Sequence, residues 1–251
     1  VPIFLMLRDG DNWLKSVIGK SFLLNNLVIL AIVYAATALP FTIYLLSGYF
    51  STLAHDYEEA AYIDGAGYSI SGLYSKGTGL YCGFFGQVNK GTIKNLSIVD
   101  SYFGENSCYY VGTFVGYSYG NIENCYSNAT IVGGYYCGGI VGETYCTISN
   151  CLYNGKIKGF SYSNAIVSDT HNYGTITNCY YNENCGKSSS RATSVTDEQL
   201  ASGEVAYLLN GDQSDIKWYQ NIDKGEKDNV PTLNSAHYTV FKNSNGYSNT
   251  L

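Results

Sequence analysis

An internal repeat limits how this chain can fold more than any other feature. The phrases GTIKNL (91–96), GNIENC (120–125), CTISNC (146–151) and GTITNC (174–179) place Asn95, Asn124, Asn150 and Asn178 at steps of 29, 26 and 28 residues. A second phrase precedes each one: FFG ends at Gly86, FVG at Gly116, IVG at Gly142 and IVS at Ser168, at steps of 30, 26 and 26. Two phrases moving together over four copies mark a repeat architecture, in which units too short to bury a core alone stack to make one. Within a unit, short runs such as Ile93, Leu96 and Ile98 alternate roughly as one strand face requires, split by Gly, Asn and Ser.

The pattern predicts a mainly β fold: a parallel β-solenoid, a right-handed β-helix, of about four coils of 26–30 residues each. Asn95, Asn124, Asn150 and Asn178 are expected to form an amide ladder at a turn. Cys125, Cys151 and Cys179, with Leu96 below, are expected to form a small apolar stack, and Gly86, Gly116 and Gly142 recur at a fixed phase. An antiparallel β-sandwich or a β-roll of hairpins is the competing arrangement. Past the repeats, Thr196 to Gln199 fits a capping box, which predicts one or two short helices within 196–210, ended by Gly211. This small α/β segment is expected to cover the open end of the solenoid. The organisation read from sequence is therefore 1–67, then repeats over 68–187, then a cap over 188–251.

The first part of the chain differs in composition. Residues 1–67 contain no cysteine, and all eight cysteines lie beyond them. No Asp, Glu, Lys or Arg occurs from Ser21 to Ala54, and Leu27–Leu46 meets the length of about 20 apolar residues that a membrane-spanning helix needs. Pro40 predicts a kink, with Thr37 placed to cover the freed carbonyl, and Tyr44, Tyr49 and Phe50 form a partial aromatic belt. A buried helix of a soluble core is the alternative. Asp56 can cap a following short helix, Glu58 and Glu59 favour its N-terminal end, and Gly65 or Gly67 can end it. The chain starts at Val1 without a signal-peptide pattern and reads as a fragment.

Residues 1–67 resemble the permease subunits of sugar-type, binding-protein-dependent ABC importers. The likeness rests on VPIFLMLR, LVILAIVYAATALPFTIYLLSGYF and EEAAYIDGAG in that order. It implies that Glu59, Ala60, Ala61 and Gly65 belong to an EAA loop, the cytoplasmic coupling helix that docks on an ATPase subunit. The flanking charges conflict with that side: Arg8, Lys15 and Lys20 precede the span while Asp56, Glu58 and Glu59 come after it, which favours the outside for the chain beyond Phe50. Residues 70–186 resemble the GLUG-motif repeats of bacterial surface proteins, through GLYCGFFGQVNKGTIKNLSIVDSYF and its three successors. SVTDEQLASGEVAYLLNG, Trp218 and Val230–Leu233 resemble the segment that closes such arrays. This second resemblance implies an exported, adhesin-like role.

Little in the chain points to catalysis or cofactors. The cysteines form no CxxC pair, the three histidines are scattered and no HExxH occurs, so neither zinc nor another cofactor is expected. His171 is the one base within the repeats that a nucleophilic thiol could use. Asp100, Glu105, Glu123 and Glu143 fall at different repeat phases, against a shared carboxylate pair or a calcium loop. Stacked residues in adjacent coils lie about 4.8 Å apart, within disulfide range, so Cys125 and Cys151 either pair or remain buried thiols. A net charge of −6 excludes nucleic acid on electrostatic grounds. Tyrosines such as Tyr109, Tyr110, Tyr135 and Tyr136 either line a face for a cell-surface protein or glycan or simply pack along strand edges.

Three functions emerge as expectations. One is a non-enzymatic adhesin-like surface module anchored in the bacterial membrane through Leu27–Leu46. Another is a carbohydrate-importer permease. The third is a chimeric chain whose halves share no evolved function, since permease-like text runs to Gly67 and repeat text begins without a linker.

Overall fold

The computed structural model describes residues 61–65, 67–76, 79–104, 108–160, 162–168 and 174–250. The expected span Leu27–Leu46, together with Glu59 and Ala60, lies outside the described residues, among which no helix is long and apolar enough to cross a membrane. The chain divides into two compact units, Val1–Tyr57 and Glu58–Leu251, and the described residues all belong to the second.

Successive coils of this unit share one plan. The first contains β1 (Ala61–Asp64), β2 (Ser69–Ser71), β3 (Tyr74–Ser75), β4 (Tyr81–Cys82) and β5 (Phe85–Val88). The second contains β6 (Gly91–Lys94), β7 (Ser97–Val99), β8 (Tyr102–Phe103), β9 (Tyr110–Gly112) and β10 (Val115–Ser118). The third contains β11 (Asn121–Glu123), β12 (Tyr126–Ser127), β13 (Thr130–Val132), β14 (Tyr136–Gly138) and β15 (Val141–Thr144). The fourth has β16 (Thr147–Ser149), β17 (Leu152–Tyr153) and β18 (Lys156–Lys158), then single parallel bridges at Asn164 and Val167. A fifth begins with β19 (Thr175–Thr177) and β20 (Tyr180–Asn182), and β21 (Thr193–Val195) adds a last strand beside β20.

Equivalent strands of adjacent coils pair to give five sheets, here numbered I to V in chain order. Sheet I is β1-β6-β11-β16-β19, sheet II β2-β7-β12-β17-β20-β21, sheet III β3-β8-β13-β18, sheet IV β4-β9-β14 and sheet V β5-β10-β15. All of their described pairings are parallel. This unit is the expected parallel β-solenoid, and the antiparallel sandwich is excluded for it.

In-register pairing stacks each inward side chain on its own kind. Ile93, Ile122 and Ile148 line up in sheet I, Phe103, Ile131 and Ile157 in sheet III, and Val115, Val141 and Val167 around sheet V, all buried. Each isoleucine removed from water contributes about 1.5–3 kcal/mol, and no single coil has enough of them to fold alone. Tyr153 also points inward, and its hydroxyl donates to the Ala129 carbonyl at 2.8 Å, so a buried polar group is satisfied within the stack.

Asn95, Asn124, Asn150 and Asn178 occupy the corner between sheets I and II with φ of 54°, 49°, 53° and 48°. The corner needs a left-handed residue, and Asn tolerates that conformation better than other side chains. The amides are joined where Asn178 Nδ2 donates to Asn150 Oδ1 at 2.8 Å.

The helix expected between Asp56 and Gly65 does not extend over Ala61–Asp64. These residues form β1, paired in parallel with Gly91–Lys94. A helix of two turns is marginal without a docking partner, whereas the edge of β6 offers a row of main-chain groups that require pairing. The solenoid therefore begins within text that resembles the permease, and residue 68 is not its first. Gly65 takes the register position held by Asn95 in the next coil, and its N–H donates to the Lys94 carbonyl at 2.8 Å.

The C-terminal segment also departs from expectation, in place rather than in content. Helix α1 (Asp197–Ala201) starts at the predicted capping box: Gln199 N–H donates to Thr196 Oγ1 at 3.2 Å, and Thr196 N–H donates to Gln199 Oε1 at 3.1 Å. Helix α2 (Glu204–Asn210) ends at Gly211, and β22 (Phe241–Asn243) and β23 (Gly246–Ser248) form an antiparallel hairpin further on. The segment lies along the side of the coils, not across their end. Tyr126, Leu152 and Tyr180 project from sheet II into a second core with Val195, Leu200, Val205, Leu209, Trp218 and Leu233. The outward apolar column of sheet II would otherwise face water, and covering it accounts for the placement.

Candidate functional site

Aromatic columns run along sheets IV and V, away from the C-terminal strap. Tyr81, Tyr110, Tyr136 and Tyr162 stack coil on coil with ring centroids 5.7, 5.1 and 5.2 Å apart. Beside them run Tyr109, Tyr135 and Phe160, at 5.4 and 5.6 Å, and then Tyr119 on Tyr145 at 4.9 Å. Tyr117 links two columns, touching Tyr81 and Tyr110 in one and Tyr119 and Tyr145 in the other. Parallel pairing explains the stacking, since Tyr81 pairs with Tyr110 and Tyr110 with Tyr136. The face is open at Tyr135 and Tyr162, each 53% exposed, and at Phe160, 49% exposed.

A carboxylate sits at the base of the columns. Glu143 is buried and lies in register with Tyr117, which is in register with Gln87. The Tyr110 hydroxyl hydrogen-bonds Glu143. Burial and the nearby carboxylate push the Tyr110 pKa well up, and burial with hydrogen bonds to Tyr119 and Tyr145 does the same for Tyr117. Hydrogen bonding to Tyr109 raises that of Tyr136. These phenols remain neutral donors over the ordinary pH range, and the hydroxyls of Tyr117 and Tyr119 lie 3.3 Å apart.

Two of the three glycines named from sequence, Gly116 and Gly142, let sheets IV and V approach, whereas a Cβ on Gly86 would reach only ordinary contact, 3.4 Å from the Tyr81 carbonyl oxygen. Gly86, Gly116 and Gly142 are in register. A Cβ on Gly116 would lie 2.6 Å from the Cys82 nitrogen, and one on Gly142 would meet the Gly116 carbonyl oxygen and lie 2.8 Å from the Val111 nitrogen. The cysteines form a second column: Cys125, Cys151 and Cys179 are buried free thiols, donating to the carbonyls of Glu123, Ser149 and Thr177 at 3.3, 3.1 and 3.3 Å. Burial pushes the Cys151 and Cys179 thiols well above their ordinary range, opposite to what a nucleophile requires. The disulfide is Cys82–Cys108, with Cα atoms 6.4 Å apart, where the loop entering β9 reaches back to β4. Sequence spacing does not single out that pair.

Of the EAA-loop residues, Ala61 lies in β1 and Gly65 comes directly after it; Glu59, Ala60 and the base candidate His171 lie outside the described residues. Among the described residues no group of His, Cys, Asp or Glu is arranged to hold a metal ion. Glu143 carries no repeat-phase signal as a carboxylate, because its equivalents are Gln87 and Tyr117. The tyrosine columns do carry one: Tyr81, Tyr110, Tyr136 and Tyr162 recur at steps of 29, 26 and 26 residues.

Comparison with known proteins locates two likenesses. Residues 107–132 match the GLUG motif. A stretch of 67 residues, 27% of the chain, is 53% identical to the diacetylchitobiose uptake system permease protein NgcG of Streptomyces coelicolor, of which it covers 18%. No solved structure matches. The chain thus carries a GLUG motif within its coils and a short stretch similar to part of a sugar importer's permease.

Proposed function

We propose that the chain is a non-enzymatic, adhesin-like binding module of the bacterial surface, which engages a cell-surface glycan or protein through its tyrosine face. The observation that carries this reading is the set of neutral aromatic columns left exposed on sheets IV and V while the strap covers sheet II. Contiguous aromatic surface of this kind on a monomer marks an interaction site. Leu27–Leu46 serves in this reading as a membrane anchor, with the coils outside. The test expresses the full chain in a bacterial host and measures protease access to the coils of intact cells and their adhesion to coated surfaces. Protected coils, or adhesion unchanged by the paired Tyr135→Ala and Tyr162→Ala substitutions, would defeat the reading.

A second reading, a permease subunit of a carbohydrate importer, draws on the 53% identity over 67 residues. It needs the EAA segment as a free helix docked on an ATPase subunit, whereas the backbone of Ala61–Asp64 is engaged in sheet I. Co-purification of an ATPase subunit with the full chain, lost on substituting Glu59, would favour this reading over the first. A chimeric origin predicts neither adhesion nor ATPase association.

A further inference from the structure

We propose that the tyrosine face binds a neutral, extended, equatorially linked polysaccharide lying along the solenoid axis. The proposal rests on the reading of this face as a binding face and names its ligand class.

The first argument is orientation. Tyr110 and Tyr136 are stacked with ring planes 18° apart, Tyr135 and Phe160 with planes 29° apart, and Tyr119 and Tyr145 with planes 28° apart. Rings in the middle of a column spend both faces on their neighbours. They therefore offer a ligand ring edges and a network of phenols already hydrogen-bonded to one another, with Tyr136 joined to Tyr109 and Tyr117 to Tyr119, rather than a greasy platform. Ring faces remain for stacking at the column end, where Phe160 and Tyr162 are about half exposed.

The second argument is spacing. The steps along the main column are 5.7, 5.1 and 5.2 Å. That interval is close to the length of one pyranose ring with its linking oxygen in an extended equatorial chain; successive sugars of such a chain are turned over, so its same-side groups recur every two sugars and stay in phase with every second tyrosine. An extended peptide repeats its same-side groups only every two residues, about 6.6 Å, and drifts out of phase with the tyrosines within a few steps. Four tyrosines accommodate about as many sugars.

The third is charge. The column side chains are neutral, and among the described residues the carboxylate beside them, Glu143, is buried next to Tyr110. A neutral polyhydroxyl ligand meets this surface without leaving an ion desolvated and imperfectly paired, whereas an acidic polymer would meet both Glu143 and a chain of net charge −6. Glu143 fixes the direction of the Tyr110 hydroxyl and acts as a positioning residue.

The test uses the full chain in detergent with β-1,4-linked glucose and N-acetylglucosamine oligomers of two to six units, read by calorimetry. Affinity for at least one series should rise at least tenfold from two to four units and then level off. Tyr136→Phe and Tyr162→Phe keep the rings but delete the hydroxyls. Each should weaken the tetramer several-fold, the scale of one hydrogen bond, with an unchanged melting temperature. Affinity independent of oligomer length, or Phe variants that bind like the parent, would overturn the proposal, as would failure to bind either series. If cells still adhere to protein-coated surfaces through this face while no oligomer binds, the ligand class is wrong and the adhesive reading stands.

Discussion

The indole Nε1–H of Trp218 donates to Oδ1 of Asn124 at 3.2 Å, joining residues 94 positions apart. Asn124 owes its place to the left-handed corner of the third coil, and Trp218 belongs to the strap laid over sheet II. A side chain chosen for backbone reasons in the repeat thus also serves as the acceptor that locates the strap.

Removing this contact should cost stability in two separable ways. Trp218 is fully buried, so Trp218→Ala should lower the unfolding free energy by about 3–5 kcal/mol. Asn124→Gly keeps the left-handed backbone and loses the acceptor, at about 1 kcal/mol. Urea unfolding of both single variants and the double variant should show coupling; strict additivity would mean that the strap is held without Asn124.

The approach of sheets IV and V predicts a contrast between glycines. A methyl on Gly142 meets main-chain atoms of Gly116 and Val111, so Gly142→Ala should destabilise by about 1–3 kcal/mol. Gly79→Ala, where the nearest atom is 4.0 Å away, should fall within about 0.5 kcal/mol of the parent in the same melting experiment.

Thiol chemistry should divide the cysteines by burial. Of the six free thiols, Cys146 alone is partly exposed, and its Sγ donates to the Tyr119 carbonyl. Burial raises the pKa of Cys146 and carries that of Cys137 to about 11. At neutral pH the native protein should react with a thiol reagent at Cys146 only, slowly and faster as pH rises; unfolding should release six thiols and reduction two more. Rapid native labelling of Cys125, Cys151 or Cys179 would contradict the buried column.

Alkali should loosen the tyrosine face. Tyr110, Tyr117 and Tyr136 have folded pKa values raised above the unfolded value of about 10. Below about pH 10 both states hold these protons and stability is unaffected; above it the unfolded chain ionises first, and stability falls as pH climbs toward the folded values. Ultraviolet titration should show delayed tyrosinate formation coincident with unfolding. Glu143→Gln removes one cause of the Tyr110 and Tyr136 shifts and should bring both ionisations earlier, that of Tyr110 more, because its hydroxyl also hydrogen-bonds the carboxylate.

The solenoid is legible in the sequence because its determinants are periodic. The left-handed Asn corners, the glycine phase and the inward Ile, Phe and Val columns all repeat at 26–30 residues, and parallel pairing turns that period into stacking. The capping box is legible because it is local. The strap's position is not, since it depends on Tyr126, Leu152 and Tyr180, whose outward apolar column is invisible until the register is known. Ala61–Asp64 reads wrongly as helix because acidic and alanine-rich text favours a helix locally, while an unpaired strand edge decides the outcome at longer range. The aromatic columns are visible as tyrosine pairs, but which of their rings the folded surface leaves exposed is not, because it depends on the register of the coils.

The strap also bears on how this protein can change over generations. Asn178 Nδ2 donates to the Leu208 and Leu209 carbonyls at 3.0 and 3.2 Å near one end of the coils, Trp218 reaches Asn124 in the third, and Leu233 abuts Gly67 in the first. Tandem arrays ordinarily lengthen and shorten by copying or losing a unit, because each unit touches only its neighbours. Here an added coil would displace Gly67 from Leu233 by about 4.8 Å while the strap kept its length. The strap works as a ruler: a change in coil number would demand a matching change in the length of the strap.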